Sequence, residues 1–175
     1  MSVVYTIGYE GTDIGRFLAT LKAVGVTVLA DVRAVVVSRK SGFSKNGLRE
    51  RLEAEGITYA HLVELGDPKA GRDAARAGKY DEFRRVYSAH LKTADAVGAL
   101  KVLDDMARQD AVCLMCFERD PATCHRRMIA DRLKARGLEV FDLFGDEPGR
   151  YVRHAKKLPR RRPRQGDAEP QQEVW

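Results

Sequence analysis

Several features are missing from this sequence, and each absence excludes something. The N-terminus, Met-Ser-Val-Val-Tyr-Thr-Ile-Gly, has no basic stretch followed by a long apolar run, so no secretory leader is expected. No apolar stretch approaches the roughly 18 residues that a membrane span needs. There are only three cysteines, Cys113, Cys116 and Cys124. An odd, clustered set without a leader excludes a disulfide scaffold and predicts a reducing compartment, the cytoplasm. There is no internal repeat and no linker, so the 175 residues fit one domain.

What remains is the composition of an ordinary globular protein, with 44% hydrophobic and 32% charged residues. Such a domain buries roughly two-thirds of its unfolded surface and folds without cross-links. The net charge is +6. Much of the excess sits in a tail holding Lys156, Lys157, Arg160, Arg161, Arg162 and Arg164. This tail is either a solvated solubility segment or a contact for nucleic acid, because positive charge favours anions without sequence preference. The chain therefore divides into a folded unit over 1–150 and a basic tail over 151–175. Disorder is expected from about residue 159, where Pro and Arg dominate.

Short apolar, β-branched runs alternate with amphipathic stretches. Strands are predicted at Val3–Ile7, Val26–Val32, Ile57–Leu62, Ala111–Phe117 and Leu138–Leu143. Helices are predicted from Thr12 or Asp13 to Val24, from Ser44 to Glu55, over Tyr80–Leu91 and Ala94–Arg108, and over Ala122–Arg136. Gly66, Pro68, Gly71 and Gly78 mark residues 66–79 as an exposed, mobile loop. The alternation predicts a three-layer α/β domain, its mostly parallel sheet of about five strands flanked by helices. Ligands in such sheets sit beyond the carboxyl ends of the strands.

Three strand ends carry unusual polar residues. The first runs into Gly8-Tyr9-Glu10-Gly11 and the second ends in Asp31-Val32-Arg33. The fourth ends in Cys116-Phe117-Glu118 and leads through Pro121 to Cys124-His125-Arg126. A sulfur beside the free N–H groups of a helix start has a lowered pKa and a place for an oxyanion. Cys116, Glu118 and His125 are the candidate catalytic residues. Tyr9, Arg33, Arg39, His61, Glu64, Cys124 and Arg126 are candidates for holding a substrate, the arginines by bidentate grips on phosphate or carboxylate.

Each candidate has a structural alternative. Cys116 can be a small buried hydrophobe. Arg33 can be half of a buried ion pair with Asp31 or Glu118. His61 can be a hydrogen-bonded structural histidine. The Arg39-Lys40-Ser41-Gly42-Phe43-Ser44 segment is either a basic loop closing on an anion or an exposed loop without a ligand. Cys113 faces away from Cys116, because strand side chains alternate, so the Cys-x-x-Cys spacing is not a redox pair. Zinc could sit between Cys116, Cys124 and His125, with Glu118 or His61 as fourth ligand, although the spacing fits no common zinc module.

Thr6-Ile7-Gly8-Tyr9, Asp31-Val32-Arg33, Ser38 to Ser44, His61 to Gly66, Leu114 to Glu118 and Cys124-His125-Arg126 occur in that order. On these segments the chain resembles the domain of unknown function 488 family from about residue 3 to 144. The resemblance implies a small cytoplasmic α/β protein. It puts emphasis on the Tyr9 turn, Arg33, the Arg39 loop, His61 to Glu64, Cys116, Glu118, Cys124, His125 and Arg126. Many relatives carry His-Ser or a similar pair where this chain has Tyr9-Glu10. The Asp-Val-Arg strand end and the cysteine after a central strand are also similar to rhodanese-like domains. Cys116 and Arg126, however, are ten positions apart, too far for the short Cys-to-Arg loop of that group.

Three functional classes follow. An enzyme would use Cys116 as nucleophile, or Glu118 as general acid or base, on a phosphate-bearing nucleotide or nucleic acid. A binding module would sense a phosphorylated small molecule or nucleic acid without turnover. A zinc or redox protein would use Cys116, Cys124 and His125. No membrane partner is expected, no cofactor is required by the sequence, and the oligomeric state is open.

Overall fold

The computed structural model describes residues 2–153. Five strands form one sheet: β1 (Val3–Gly8), β2 (Val28–Asp31), β3 (Thr58–His61), β4 (Val112–Cys116) and β5 (Glu139–Phe144). The order is β3-β2-β4-β1-β5 and every pairing is parallel. β1, β2 and β4 are buried throughout, as near-continuous apolar strands covered on both faces must be. β3 and β5 are the half-exposed edges.

Helices α1 (Ile14–Ala23), α2 (Lys45–Ala54) and α7 (Pro148–Arg153) cover one face. Helices α3 (Lys69–Arg76), α4 (Tyr80–His90), α5 (Ala94–Gln109) and α6 (His125–Lys134) cover the other. The three-layer α/β architecture is therefore present. Side-chain alternation along β4 puts Cys113 in the core with Phe17 and Leu21 of α1. Burial there pushes its thiol far up. Cys116 points the other way, on the side of Leu114.

Local signals set the boundaries. Asp13 caps α1 by accepting the Arg16 N–H at 2.9 Å, while Thr12 donates to the Gly145 carbonyl at 2.7 Å instead. Ser44 precedes α2, but its hydroxyl is spent on the Ser38 backbone.

Two expectations need correction. Residues 66–79 are not a loop: they contain α3, with Gly66 and Asp67 buried before it. The glycines that imitate a loop do separate jobs. A Cβ on Gly66 would fall 2.5 Å from the Ala34 Cα, and one on Gly71 would fall 2.0 Å from Asp67 Oδ1. Gly78, at φ 71°, ends the helix. The predicted helix from Ala122 is also interrupted. A 3₁₀ turn covers Pro121–Thr123, and Cys124 is extended at φ −123°, ψ 145°. α6 therefore starts at His125 with Cys124 as its N-cap.

The expected boundary at residue 150 falls within α7. Tyr151 is buried and its hydroxyl accepts the Phe144 N–H at 2.7 Å, so the folded unit runs past that point. The basic residues from Lys156 to Arg164, and the disorder expected from 159, lie outside the described residues. No described helix is long and apolar enough to cross a membrane.

Candidate active site

The carboxyl ends of β1, β2 and β4 open on a cleft of about 430 Å³. Its lining includes Tyr9, Arg33, Asp67, Cys116, Glu118 and His125. Four of these come from the strand ends marked by sequence. Gly8 pairs with Cys116 in register and lets the β4–α6 loop cross directly above it. A Cβ on Gly8 would sit 1.8 Å from the Glu118 carbonyl oxygen.

That loop is held from below by Arg126. The side chain is fully buried, at 0% exposure. Its guanidinium donates to the Glu118 carbonyl, to the Arg119 carbonyl at 3.1 Å and to Thr6 Oγ1 at 3.3 Å. The Thr6 hydroxyl in turn donates to Asp142 Oδ1 at 2.6 Å. Arg126 thus shapes the turn that returns the Glu118 carboxyl to Cys116. It does not line the cleft, and its expected grip on an anion is replaced by a grip on backbone.

Arg33 resolves in the same direction. It forms a buried pair with Asp31, Nε to Oδ1 at 2.9 Å and Nη2 to Oδ2 at 2.7 Å. Nη1 donates to the Phe43 carbonyl at 2.8 Å and to the Tyr9 hydroxyl at 3.3 Å. Tyr9 stacks on Phe43 with ring centres 4.4 Å apart. Arg33 and Tyr9 are a braced wall of the cleft. The turn they stand on is pinned by two histidines: His125 Nε2 donates to the Val32 carbonyl at 2.7 Å, and His61 Nε2 does the same to the Arg33 carbonyl at 2.9 Å. His61 is outside the cleft in this structural role. Arg39 and Glu64 are exposed and also outside it.

The chemistry concentrates on two sulfurs and one imidazole. With Nε2 committed to Val32, His125 turns Nδ1 toward Cys116 Sγ at 3.6 Å and Cys124 Sγ at 3.9 Å. The edge of Tyr87 supports the imidazole, with ring centres 5.2 Å apart. Cys124 Sγ accepts the Arg126 N–H at 3.5 Å, which is the capping bond of α6. Cys116 donates to Glu118 Oε2 at 3.2 Å.

Two buried thiols this close titrate as one unit. Burial opposes charge on Cys124. The Cys116 thiol, the adjacent His125 and the Arg126 charge outweigh it and hold Cys124 below the usual thiol range. Cys116 rises correspondingly, through its hydrogen bond to Cys124 and its own burial. Burial alone would lower His125, but the neighbouring Cys124 thiolate lifts it to about 9. Burial, and next the charge on Cys124, raise Glu118 to about 7. These directions favour charge on Cys124 and His125 and a proton on Cys116.

Cys124 is behind Cys116 and does not line the cleft, so Cys116 is the sulfur a ligand meets. The three ligand atoms of Cys116, Cys124 and His125 also lie within 4.8 Å of one another and could hold a thiophilic ion such as zinc.

Asp67 was not anticipated. It is 5% exposed and lines the cleft, and its Oδ1 is the only buried side-chain oxygen or nitrogen among the described residues with no hydrogen-bond partner. Burial raises it to about 6. Its unfolded value is lower, so the folded state binds the proton more tightly and stability falls as pH rises up to about 6. Arg72 and Arg76 stand at the mouth, and Phe83, Tyr80, Phe117 and Val37 supply apolar wall. The only sequence signal for Asp67 was its Gly66-Asp67-Pro68 setting, which also describes any turn.

The fold and the cleft define a parallel α/β protein with a dithiol–imidazole centre at the carboxyl ends of its strands. The model of the family described as domain of unknown function DUF488 matches residues 13–133, and the chain belongs to that family. No curated protein and no solved structure matches the chain.

Proposed function

We propose that this protein is a group-transfer enzyme that uses Cys116 as nucleophile on a phosphate-bearing nucleotide or nucleic acid. The observation that carries this reading is the convergence of Cys116, Glu118 and His125 on the floor of one cleft. The Cys116 thiol would attack the substrate's electrophilic centre, forming a sulfur–substrate bond. Its proton passes to Glu118, whose pKa near 7 suits that transfer. The bond to the leaving group breaks with its electron pair, and Glu118 returns the proton to the departing atom. Water then attacks the sulfur-bound group while Glu118 takes the water proton, and Cys116 leaves and is reprotonated. The His125 imidazolium stabilises negative charge at the sulfurs throughout.

The anion-holding role shifts from Arg33 and Arg126, which are buried among internal partners, to Arg76 at the mouth and to the part of Arg72 not held by the Asp67 carbonyl. Three free cysteines suit a reducing compartment, and we place the protein in the cytoplasm.

The test is alkylation of the folded chain with iodoacetamide at neutral pH, followed by peptide mapping. Cys116 should react at least about tenfold faster than the sealed Cys113, and Glu118→Gln, by removing the negative charge and the acceptor that help to hold the Cys116 proton, should speed its alkylation. An unreactive Cys116, or a rate that Glu118→Gln leaves unchanged, would remove the nucleophile. Stoichiometric zinc in the purified protein would reassign the two sulfurs and the imidazole as ligands.

A further inference from the structure

Resting on the enzymatic reading, one feature of the cleft speaks to what enters it. Asp67 is a nine-tenths buried carboxylate that lines the cleft; its Oδ1 is sealed against Gly71 without a donor, and its Oδ2, the oxygen left for the cleft, has no donor among the described residues either. Folding makes room for it at a cost: Gly71 lacks the Cβ that would collide with it. It stands one residue before Pro68, the N-cap of α3, and that helix has no side-chain capping bond, so capping does not explain it. A buried acceptor without a partner is costly, typically about 1–3 kcal/mol, and it persists where a ligand supplies the donor.

The surroundings narrow the ligand. Of the seven large hydrophobic side chains exposed among the described residues, Val35, Val37, Tyr80 and Phe117 stand on the rim of this one cleft. Tyr80 and Phe117 offer flat aromatic faces at the entrance, and the two valines add apolar contact beside them. Arg72, whose Nη1 donates to the Asp67 carbonyl, and Arg76 line the same opening, and Arg76 reaches its acidic neighbour Asp73 only at 3.9 Å. The cleft thus has an acceptor at its floor, apolar and aromatic contact around its rim and positive charge at its mouth. Stacking surfaces combined with arginines are how proteins hold an unpaired base and its phosphate.

We propose that the cleft selects a nucleobase bearing an exocyclic amine: Asp67 accepts the amine N–H, the rim contacts the base faces, and Arg72 and Arg76 meet the phosphate. The base could arrive as a mononucleotide or unpaired in a single strand, since both present the same groups.

Calorimetric titration of the full chain at neutral pH with two nucleotide pairs tests this. GMP differs from IMP by the amine, and CMP carries an amine where UMP carries a carbonyl. A hydrogen bond to a charged group predicts that GMP and CMP bind about tenfold or more tighter than IMP and UMP. Short single-stranded oligonucleotides of the same bases form the second arm, and whichever arm binds tighter identifies the source. Asp67→Asn should bring each ratio close to one, and the variant should melt no lower than the parent. Equal binding within both pairs, a preference that survives Asp67→Asn, no binding in either arm, or a lowered melting temperature marking Asp67 as structural would each overturn the proposal. Cys116 alkylation is independent of these ratios, so failure here with Cys116 reactivity intact removes the base selection alone.

Discussion

Replacing Arg126 by Ala should cost about 3–5 kcal/mol of stability and lower the melting temperature by roughly 10 °C. The guanidinium holds two carbonyls of the β4–α6 loop and the Thr6 hydroxyl, all from a fully buried position. Truncation leaves those acceptors unpaired beside a cavity. Arg126→Lys should restore only part of the loss, because one ammonium cannot reproduce the planar fork that reaches successive carbonyls. Chemical denaturation measures both variants. A loss below about 1 kcal/mol for Arg126→Ala would mean that the loop holds its shape without this residue. The Cys116–Glu118 contact depends on that loop, so the loss of stability should be accompanied by a changed rate of Cys116 alkylation.

Asp31→Ala is the second large effect, again about 3–5 kcal/mol. Asp31 accepts from the Arg33 guanidinium, from the Arg33 backbone N–H at 3.1 Å and from the Tyr59 hydroxyl at 2.6 Å. Its removal strands a buried cation next to Tyr9 and Phe43. The cost comes from the abandoned charge more than from the lost pair, which sets a second expectation. Asp31→Leu combined with Arg33→Met should regain most of the stability, as paired removal of buried charges commonly does. A double variant no better than Asp31→Ala would show that the pair itself stabilises the fold. Urea unfolding of the single and double variants separates the two results.

Much of this architecture was legible. The β1 run is apolar and β-branched and the β4 run is wholly apolar, which suits buried strands, and a parallel sheet collects their ends at one edge. That logic alone brought Tyr9, Arg33, Cys116, Glu118 and His125 to one cleft. It failed where residue type and residue role diverge. Arg33 and Arg126 have the chemistry of an anion grip, but their burial and their carbonyl partners exist only once the loops are placed. Cys124 is an unusual N-cap, so the 3.6-residue pattern ran straight through the break that sets its sulfur against His125. Asp67 lay among glycines that signal a turn. Gly66 and Gly71 are there for close approach, a requirement set by Ala34 and by Asp67 itself.

Charge separation inside the dithiol–imidazole centre underlies the proposed chemistry, and the ultraviolet thiolate band measures it directly across pH. One thiolate per chain should persist through neutral pH and fade only well below the ordinary thiol value of ~8.5, and Cys124→Ser should abolish that absorbance. If the folded protein gains its first thiolate only at or above ~8.5, or if Cys124→Ser leaves the band unchanged, Cys124 and His125 are neutral neighbours and the proposed chemistry has no foundation.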